Sequence, residues 1–494
     1  MKTTVWLERR AALTPDRIAL IGGNEQLTFG ELRGRAMTLA RRLIACGVRK
    51  GDTVGMLCGN SVDTAVLVHA IPYTGAVLMP LNTRLTAQEL VFQIEDASCR
   101  HLVADERFGQ LADAVGERLP GLILIPVNRL AHEPAADAPL ETEIDDEQTA
   151  TIMYTSGTTG APKGVIHTYG NHWASAIGSA LNLGLHAEDR WLAAVPLFHI
   201  SGLSILMRGV IYGISVVVHE RFDPSAANEA IMEQGVTIVS VVSNMLARMM
   251  DDLGERRYPP HFRCMLLGGG PCPSPLLEAC VRKGVPVFQT YGMTETASQI
   301  VTLPPEYMRT KLGSAGKPLF PCEIRIVDEE GADTAPCVPG EILVRGPNVT
   351  RGYWNRPEAT AAAMQGGWFR TGDIGYVDED GFLYVLDRRN DLIISGGENI
   401  YPAEIESVLT GHPDVADAGV TGIADECWGQ VPVAFVVPRD GAKLREDELR
   451  AFCGEHLARY KIPTRFHVVD GLPRNAAGKL LRRELAAWTA DRRE

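Results

Sequence analysis

Residues 154–164 read Tyr-Thr-Ser-Gly-Thr-Thr-Gly-Ala-Pro-Lys-Gly and follow the apolar run Thr151–Tyr154, which reads as a strand. Gly157, Gly160 and Gly164 let the backbone approach a ligand closely. Thr155, Ser156, Thr158 and Thr159 add hydroxyl donors, and Lys163 adds a positive charge. A strand that opens into such a loop suits the wrapping of triphosphate oxygens. The spacing is not that of a Walker A loop, because no G-x-x-x-x-G-K-[ST] pattern fits. A plain polar turn would not need so many Gly, Ser and Thr residues around Pro162-Lys163.

On the N-terminal side of this loop, helical and strand patterns alternate. Thr28 and Glu31 form a T-x-x-E capping box, and Leu32, Ala36, Leu39, Ala40 and Leu43 recur at helical spacing until Gly47. Strands are expected at Thr53–Cys58, Ala76–Pro80, His101–Ala104 and Leu122–Pro126. A helix is expected after Ser61, and Thr86 and Glu89 repeat the capping-box signal. Residues 131–147 carry seven acidic residues, two prolines and no Lys or Arg, which reads as a surface connector with little to give a core. The alternation resumes at Thr151 and runs to about residue 300; it implies right-handed crossovers and a largely parallel sheet.

After Leu312 the texture changes to short strands and turns, such as Val327-Asp-Glu-Glu-Gly331. Asp380-Gly381 marks a hairpin between Ile374–Val377 and Phe382–Leu386. Past Asp387 a smaller domain is expected, with helices at Glu404–Leu409 and Glu446–Leu457 and a strand at Val431–Val437. The fold class is therefore α/β. A large N-terminal domain, residues 1–387, is built on mostly parallel sheets with a β-rich subdomain, and a small α+β domain follows at 388–494. Between Arg459 and Glu484 seven Lys or Arg residues face two acids; this is either a solvated basic face or an edge that meets a phosphorylated ligand.

Composition narrows the function classes. The chain has 494 residues, is 45% hydrophobic and 22% charged, and carries a formal charge of 48 − 61 = −13. That balance argues against a general nucleic-acid binder, whose affinity would rest on phosphate neutralisation. Glu8, Arg9 and Arg10 stand where a signal peptide needs apolar residues, and Arg208 interrupts the longest tempting apolar run, Ile205–Val218. No membrane insertion is expected. Ten cysteines without a C-x-x-C pair read as reduced, packed thiols, so a cytoplasmic location is expected. A homo-oligomer is compatible with the sequence.

Residues 154–164 resemble the phosphate loop of the adenylate-forming acyl- and aryl-CoA ligases, and the resemblance recurs in order down nearly the whole chain. Leu267-Gly268-Gly269-Gly270 resembles the family's adenosine-site turn, and Gln289-Thr-Tyr-Gly-Met-Thr-Glu295 its aromatic–acidic signature. Thr371-Gly372-Asp373 resembles the ribose-binding motif, and Tyr384-Val-Leu-Asp-Arg388 the interdomain hinge. Ser395-Gly-Gly-Glu-Asn399 resembles the segment that meets the thiol acceptor, and Pro473-Arg-Asn-Ala-Ala-Gly-Lys479 the catalytic-lysine loop.

The resemblance implies ATP, Mg2+ and CoA as the reacting partners, and a role for each matched residue. Thr155 to Gly160, Lys163, Gly269, Gly270, Thr290, Tyr291, Gly292, Thr294, Asp373 and Arg388 would hold the nucleotide. Tyr291 would lie against adenine, and Asp373 would accept the ribose hydroxyls. Glu295, with Thr155, would hold magnesium. Lys479, His199 and Glu295 would be the catalytic set, with Lys479 meeting negative charge at the α-phosphate. His199 would gate the acyl pocket, where Gly268, Ser298 and Gln299 would also meet the acid. Ser395, Gly396, Gly397 and Glu398 would meet CoA, and the small domain would rotate about Asp387 between adenylation and thioester formation.

Longer stretches narrow the acid. Residues 165–182, 190–213, 289–303 and 312–326 are similar in running sequence to the branch of the family that joins CoA to o-succinylbenzoate in menaquinone synthesis. That substrate is a keto-diacid on an aromatic ring, and its second carboxylate needs donors of its own. Ser298 and Gln299 are the candidates; Arg208 is a counter-charge that nothing in the sequence places in a pocket. Ligation of a medium-chain fatty acid or a cinnamate- or benzoate-type acid stays open. A stand-alone carrier-protein loader and a non-catalytic nucleotide binder are the readings of other classes. No G-x-S-x-G elbow supports a serine hydrolase.

Overall fold

The computed structural model describes the chain except residues 156–160, 270, 271, 273, 329, 388–392, 401, 440, 474–479, 481 and 492–494. It divides into two compact units. One comprises Met1–Thr83, Ile94–Met153 and Gly164–Leu386; the other comprises Arg84–Gln93, Tyr154–Lys163 and Asp387–Glu494. The second draws in two segments that a boundary read along the chain does not anticipate.

In the larger unit the N-terminal alternation becomes a six-stranded sheet. Its order is Lys163–Thr168, Thr149–Thr155, Val77–Pro80, Thr53–Leu57, His101–Ala104 and Ile123–Pro126. The strands from Thr149–Thr155 onward pair in parallel. The helix Phe29–Ala45 begins as its sequence dictates: the Thr28 hydroxyl accepts from Glu31 N–H at 3.2 Å and the Glu31 carboxylate accepts from Thr28 N–H at 2.8 Å. Leu32, Ala36, Ala40 and Leu43 on one face are fully buried. The helix Val62–Thr74 touches strands of both large sheets and is buried along nearly its whole length, with Asp63 in its first turn exposed, so it has no polar stripe to mark a solvent face.

A second, nine-stranded sheet holds the order Lys317–Pro318, Ser298–Leu303, Val287–Met293, Cys264–Leu267, Ile238–Val241, Arg190–Ala193, Ser215–Val218, Ile18–Gly22 and Glu25–Thr28. Its central strands are parallel, and both edges close with antiparallel pairs. The antiparallel β-rich part follows, with Glu323–Val327, Gly340–Arg345, Trp368–Val377 and Leu383–Asp387; Gly381, at φ 81°, turns the expected hairpin. The acidic connector gives the core more than its composition implies. In Glu143–Asp145, which pairs with Lys2–Thr4, side chains alternate across the strand, so Ile144 points inward and is buried while its acidic neighbours stay out.

The smaller unit carries its own sheet, ordered Glu398–Ile400, Ile393–Ser395, Gly429–Pro438 and Val415–Asp425, with Arg465–Val468 added in parallel to Gly429–Pro438. The helices Pro402–Thr410 and Glu446–His456 supply Ile405, Leu409, Leu449 and Cys453 to its separate core. One cation of the basic stretch, Lys461, fits neither a solvated face nor a ligand edge: it is 4% exposed and donates to Glu89 at 2.8 Å and Glu404 at 2.7 Å. Its charge is neutralised inside the protein and is not offered to a ligand. Burial pushes the Glu404 carboxyl up, against the pull of Lys461.

Candidate active site

Thr155 is the last residue of the strand Thr149–Thr155, and Lys163 the first of Lys163–Thr168, so the two bracket the loop at the edge of the six-stranded sheet. Ser156, Gly157, Thr158, Thr159 and Gly160 lie outside the described residues. So do Gly270, Arg388 and Lys479, and the side chain of Asp387.

The aromatic–acidic signature forms the antiparallel edge of the large sheet. Val287–Met293 runs into the turn Thr294–Ala297 and returns as Ser298–Leu303. The approach is closest at Gly292, where a Cβ would stand 1.8 Å from the Ser298 carbonyl oxygen; only glycine fits. Ala297 at φ 49° and Ser298 at φ 100° hold left-handed conformations that side chains disfavour, so the turn must be held from outside.

It is held carbonyl by carbonyl. The Thr294 oxygen accepts from His167 Nε2 at 2.6 Å, and the Glu295 oxygen from Thr350 N–H at 2.7 Å. Asn348 Nδ2 donates to the Thr296 and Gln299 oxygens at 2.9 and 3.0 Å, and Ser175 Oγ donates to the Ala297 oxygen at 2.6 Å. The Thr296 hydroxyl lies 3.0 and 2.8 Å from the Met293 and Ser298 oxygens. Glu295 itself is buried, and Tyr353 Oη donates to its Oε1 at 2.9 Å. The segment 347–354 also binds the strand after the phosphate loop: Trp354 N–H donates to the Gly164 oxygen at 2.7 Å, and Ile166 N–H to the Gly352 oxygen at 3.1 Å.

Two other expected nucleotide residues meet directly. Tyr291 Oη donates to Asp373 Oδ2 at 2.7 Å, and both side chains are buried. Asp373 N–H is fixed by the Thr371 hydroxyl at 3.0 Å. Thr290 Oγ1 donates to the Val301 oxygen at 2.9 Å, which leaves its methyl 2.9 Å from where a Cβ on Gly268 would stand. Gly269, at φ 84°, needs glycine for its backbone.

His199 N-caps the helix Ile200–Tyr212 and is half-buried, with its ring centroid 4.6 Å from that of Phe198. Ser298 is half-buried beside the strained turn. Gln299 is 2% exposed; its amide nitrogen donates to Thr302 Oγ1 at 3.1 Å, and its buried oxygen has no partner among the described residues. The residue that composition could not place is Arg208, on the buried side of the His199 helix. Its guanidinium is 2% exposed, donates to Ser175 Oγ at 3.2 Å and lies 5.4 Å from the Trp191 ring. Among the described residues Nε has no acceptor and no carboxylate pairs with the guanidinium. Desolvation pulls its pKa down, the mark of a cation held where water does not reach. Through Ser175 and the Ala297 oxygen it stands two hydrogen bonds from the Ser298 turn. Sequence reasoning missed Ser175, Asn348, Thr350 and Tyr353, because each serves a partner more than fifty residues away and no local pattern marks it.

In the smaller unit Ser395, Gly396, Gly397 and Glu398 form a two-residue hairpin, with Ser395 paired to Glu398. Gly396 at φ 57° and Gly397 at φ 86° supply the left-handed pair that such a turn demands. Gly396 N–H donates to the Trp428 oxygen at 2.8 Å, and the buried Glu398 carboxylate is ion-paired with Arg84.

The donor set fits a magnesium ion that is held mainly by its nucleotide. Among the described residues no three His, Cys, Asp or Glu side chains gather as a protein cage. The Glu295 carboxylate is a hard oxygen donor of the kind that would complement substrate phosphates and water.

Residues 7–354 match the family described as AMP-binding enzyme, and residues 404–479 match the AMP-binding enzyme C-terminal domain. The 2-succinylbenzoate–CoA ligase of Geobacillus kaustophilus is 60% identical over 480 residues, which cover 97% of this chain and 96% of that protein. The corresponding ligase of Bacillus cereus is 53% identical over 97% of both chains. Among solved structures, a double mutant of the o-succinylbenzoate CoA synthetase of Bacillus subtilis with a product analogue matches at TM-score 0.94 and 51% identity, over 98% of each chain. The same enzyme with its acyl-adenylate intermediate matches at 0.77. With identity at this level along the whole length and both family segments in order, this chain belongs to the AMP-binding enzyme family.

Proposed function

We propose that this protein is an ATP-dependent ligase that activates the succinyl carboxylate of o-succinylbenzoate and joins it to CoA, a step of menaquinone synthesis. In the first half-reaction a carboxylate oxygen bonds to the α-phosphorus of ATP as the bond to the β-phosphate oxygen breaks, which releases pyrophosphate. In the second, the CoA sulfur attacks the activated carbonyl and AMP leaves. Magnesium would neutralise charge on the phosphates, beside Glu295. Lys479, outside the described residues, is the proposed counter-charge at the α-phosphate. The protein otherwise supplies position: Asp373 and Tyr291 for the nucleoside, His199 for the acyl chain, and the 395–398 hairpin for CoA.

The observation that carries the choice of acid is Arg208. A buried guanidinium without an acid is costly unless an anion completes it. A fatty acid brings only the carboxylate that reacts. A keto-diacid brings a second, and Arg208, joined to the Ser298 turn through Ser175, is the charge to receive it. Gln299 suits that role less than its position implies, because its amide N–H already serves Thr302.

The test is pyrophosphate release with ATP and magnesium, first without and then with CoA. The acids are o-succinylbenzoate, 4-oxo-4-phenylbutanoate (the same acid without the ring carboxylate), benzoate, 4-coumarate and octanoate. Strong release with o-succinylbenzoate alone, followed by thioester on adding CoA, is expected. Arg208→Met is expected to lower that rate by about a hundredfold, the scale for removing one partner of a desolvated charge pair, and to change the rate with 4-oxo-4-phenylbutanoate far less. Preference for octanoate or coumarate would discard the acid and keep the chemistry.

A further inference from the structure

Thr151, His167 and His172 are buried polar residues, and of the three only His167, as the donor to the Thr294 oxygen, belongs to the site described above. Thr151 lies three residues before the phosphate loop and His167 three residues after it, on the two strands that form its stem. His172 stands on the following helix, Tyr169–Leu183. Thr151 Oγ1 lies 3.0 Å from His167 Nδ1 and 3.0 Å from His172 Nε2, and His167 Nε2 reaches the Thr294 oxygen at 2.6 Å.

Chemistry fixes the direction of each bond. A carbonyl only accepts, so the proton on His167 is at Nε2. A neutral imidazole has one N–H, so His167 Nδ1 accepts from the Thr151 hydroxyl, and the Thr151 oxygen accepts from His172 Nε2–H. A second proton on His167 would face the hydroxyl with a donor and reverse the chain. Burial keeps both rings neutral, and the nearby charge of Arg208 adds to this at His172.

We propose that Thr151, His167 and His172 form a neutral hydrogen-bond relay that ties the stem of the phosphate loop to the Thr294–Glu295 dipeptide and so positions Glu295 for the metal-bound nucleotide. The inference rests on the reading of residues 154–164 and Glu295 as nucleotide and metal elements. Those two elements must address one triphosphate, yet they lie on different sheets and about 130 residues apart in sequence. The relay is a direct buried link from Thr151 and His167, on the strands that flank the loop, to the turn that holds Glu295, and it enters the strained turn at the residue before Glu295. Thr151, His167 and His172 touch no reacting atom; they are positioning residues.

The test compares Thr151→Val, which keeps shape and removes the hydroxyl, with Thr151→Ser, which keeps the hydroxyl. The first readout is ATP affinity by calorimetry in excess magnesium and in EDTA; the second is pyrophosphate release against magnesium and acid concentration. Thr151→Val is expected to lose about tenfold or more of the magnesium-dependent gain in ATP affinity and to slow adenylation about ten- to a hundredfold. Its KM for the acid stays within about twofold, and Thr151→Ser restores both properties to within about threefold of wild type. An unchanged magnesium dependence in Thr151→Val overturns the proposal, as does failure of serine to restore it. If the valine variant does not fold, the same readouts pass to His167→Gln, which can still donate to Thr294, against His167→Leu. A deficit in Leu that Gln repairs supports the relay; equal behaviour of the two, or loss of folding in Leu as well, overturns it. Wild type that binds Mg·ATP but adenylates none of the panel acids would refute the acid assignment, and the calorimetric comparison would still decide the relay.

Discussion

Two tight turns in this protein each carry a buried glutamate, and they are built in opposite ways. The turn at 293–299, around Glu295, takes left-handed backbone at Ala297 and Ser298, and its carbonyls are claimed by Ser175, His167, Asn348 and Thr350. The hairpin at 395–398, around Glu398, puts its left-handed backbone on Gly396 and Gly397, where it costs little. The first is strained and its carbonyls are held by distant residues; the second takes its turn conformation from its own two glycines, although Trp428 and Arg84 also meet it. Strain persists only where surrounding structure enforces it, so the Glu295 turn is where tertiary structure has been used to fix a geometry. That difference makes damage to the first spread and damage to the second stay local.

The largest expected effect is at Gly292. A methyl placed 1.8 Å from the Ser298 oxygen cannot be relieved by moving a side chain, because its neighbour is backbone. Gly292→Ala is expected to cost more than about 4 kcal/mol, the range reserved for direct steric failure, and to abolish adenylation. Denaturant unfolding and pyrophosphate release check this; near-normal activity would show the turn to be pliable and break the comparison. Next is Asn348→Ala, which leaves the Thr296 and Gln299 carbonyls without their partner. At about 1–3 kcal/mol for each buried group left unsatisfied, it should destabilise the larger unit measurably and slow adenylation. Full activity with lowered stability would separate the fold of the turn from its function.

Acid should loosen the same turn from inside. Burial pushes the His167 imidazole down to about 4, and His69 in the same unit likewise to about 4. In the unfolded chain both rings titrate near 6.5, so between those values the unfolded state binds protons that the folded state refuses. The stabilisation is complete above about pH 6.5 and falls as pH drops towards 4, by about 2 kcal/mol per ring at pH 5. Hydrogen exchange at pH 5 and 7.5, corrected for intrinsic rate, should show amides of 293–299 losing protection more than those of 395–398. Equal loss in both regions would remove the distinction between them.

The same contrast explains what was legible in the sequence. Elements whose cause is local were readable: the Thr28–Glu31 box, the Asp380-Gly381 hairpin, and the apolar parallel strands from Thr53 to Pro126. Val415–Asp425 carries Asp417, Gly419 and Gly422, poor strand residues by propensity, and is a strand because it pairs along its whole length with Gly429–Pro438. Lys461 sits among cations in sequence and between two carboxylates in space. At the site, Asp373, Tyr291 and Glu295 could be nominated because the short motifs that hold them resemble those of the family, and their residue types suit the roles the resemblance implies. Asn348, Ser175, Thr350 and the unpaired burial of Arg208 could not, since each acquires its meaning only from a partner brought in by the fold.

Gly396→Ala is the smallest expected effect and the sharpest control. Alanine at φ 57° pays about 1 kcal/mol for left-handed backbone. Its methyl would also meet the Trp428 ring at 2.7 Å. That neighbour is 59% exposed and can swing aside, unlike the carbonyl that blocks Gly292. The loss should therefore stay near 1–2 kcal/mol and within the smaller unit. Adenylation should remain within about twofold of wild type, while thioester formation from preformed acyl-adenylate slows several-fold if residues 395–398 meet CoA. Equal slowing of both half-reactions would mean that this hairpin, too, is coupled to distant structure; slowing of neither would remove 395–398 from the CoA site. Because the two substitutions add the same methyl to glycine, the ratio of their effects measures how differently a fixed backbone carbonyl and an exposed, movable side chain yield to it.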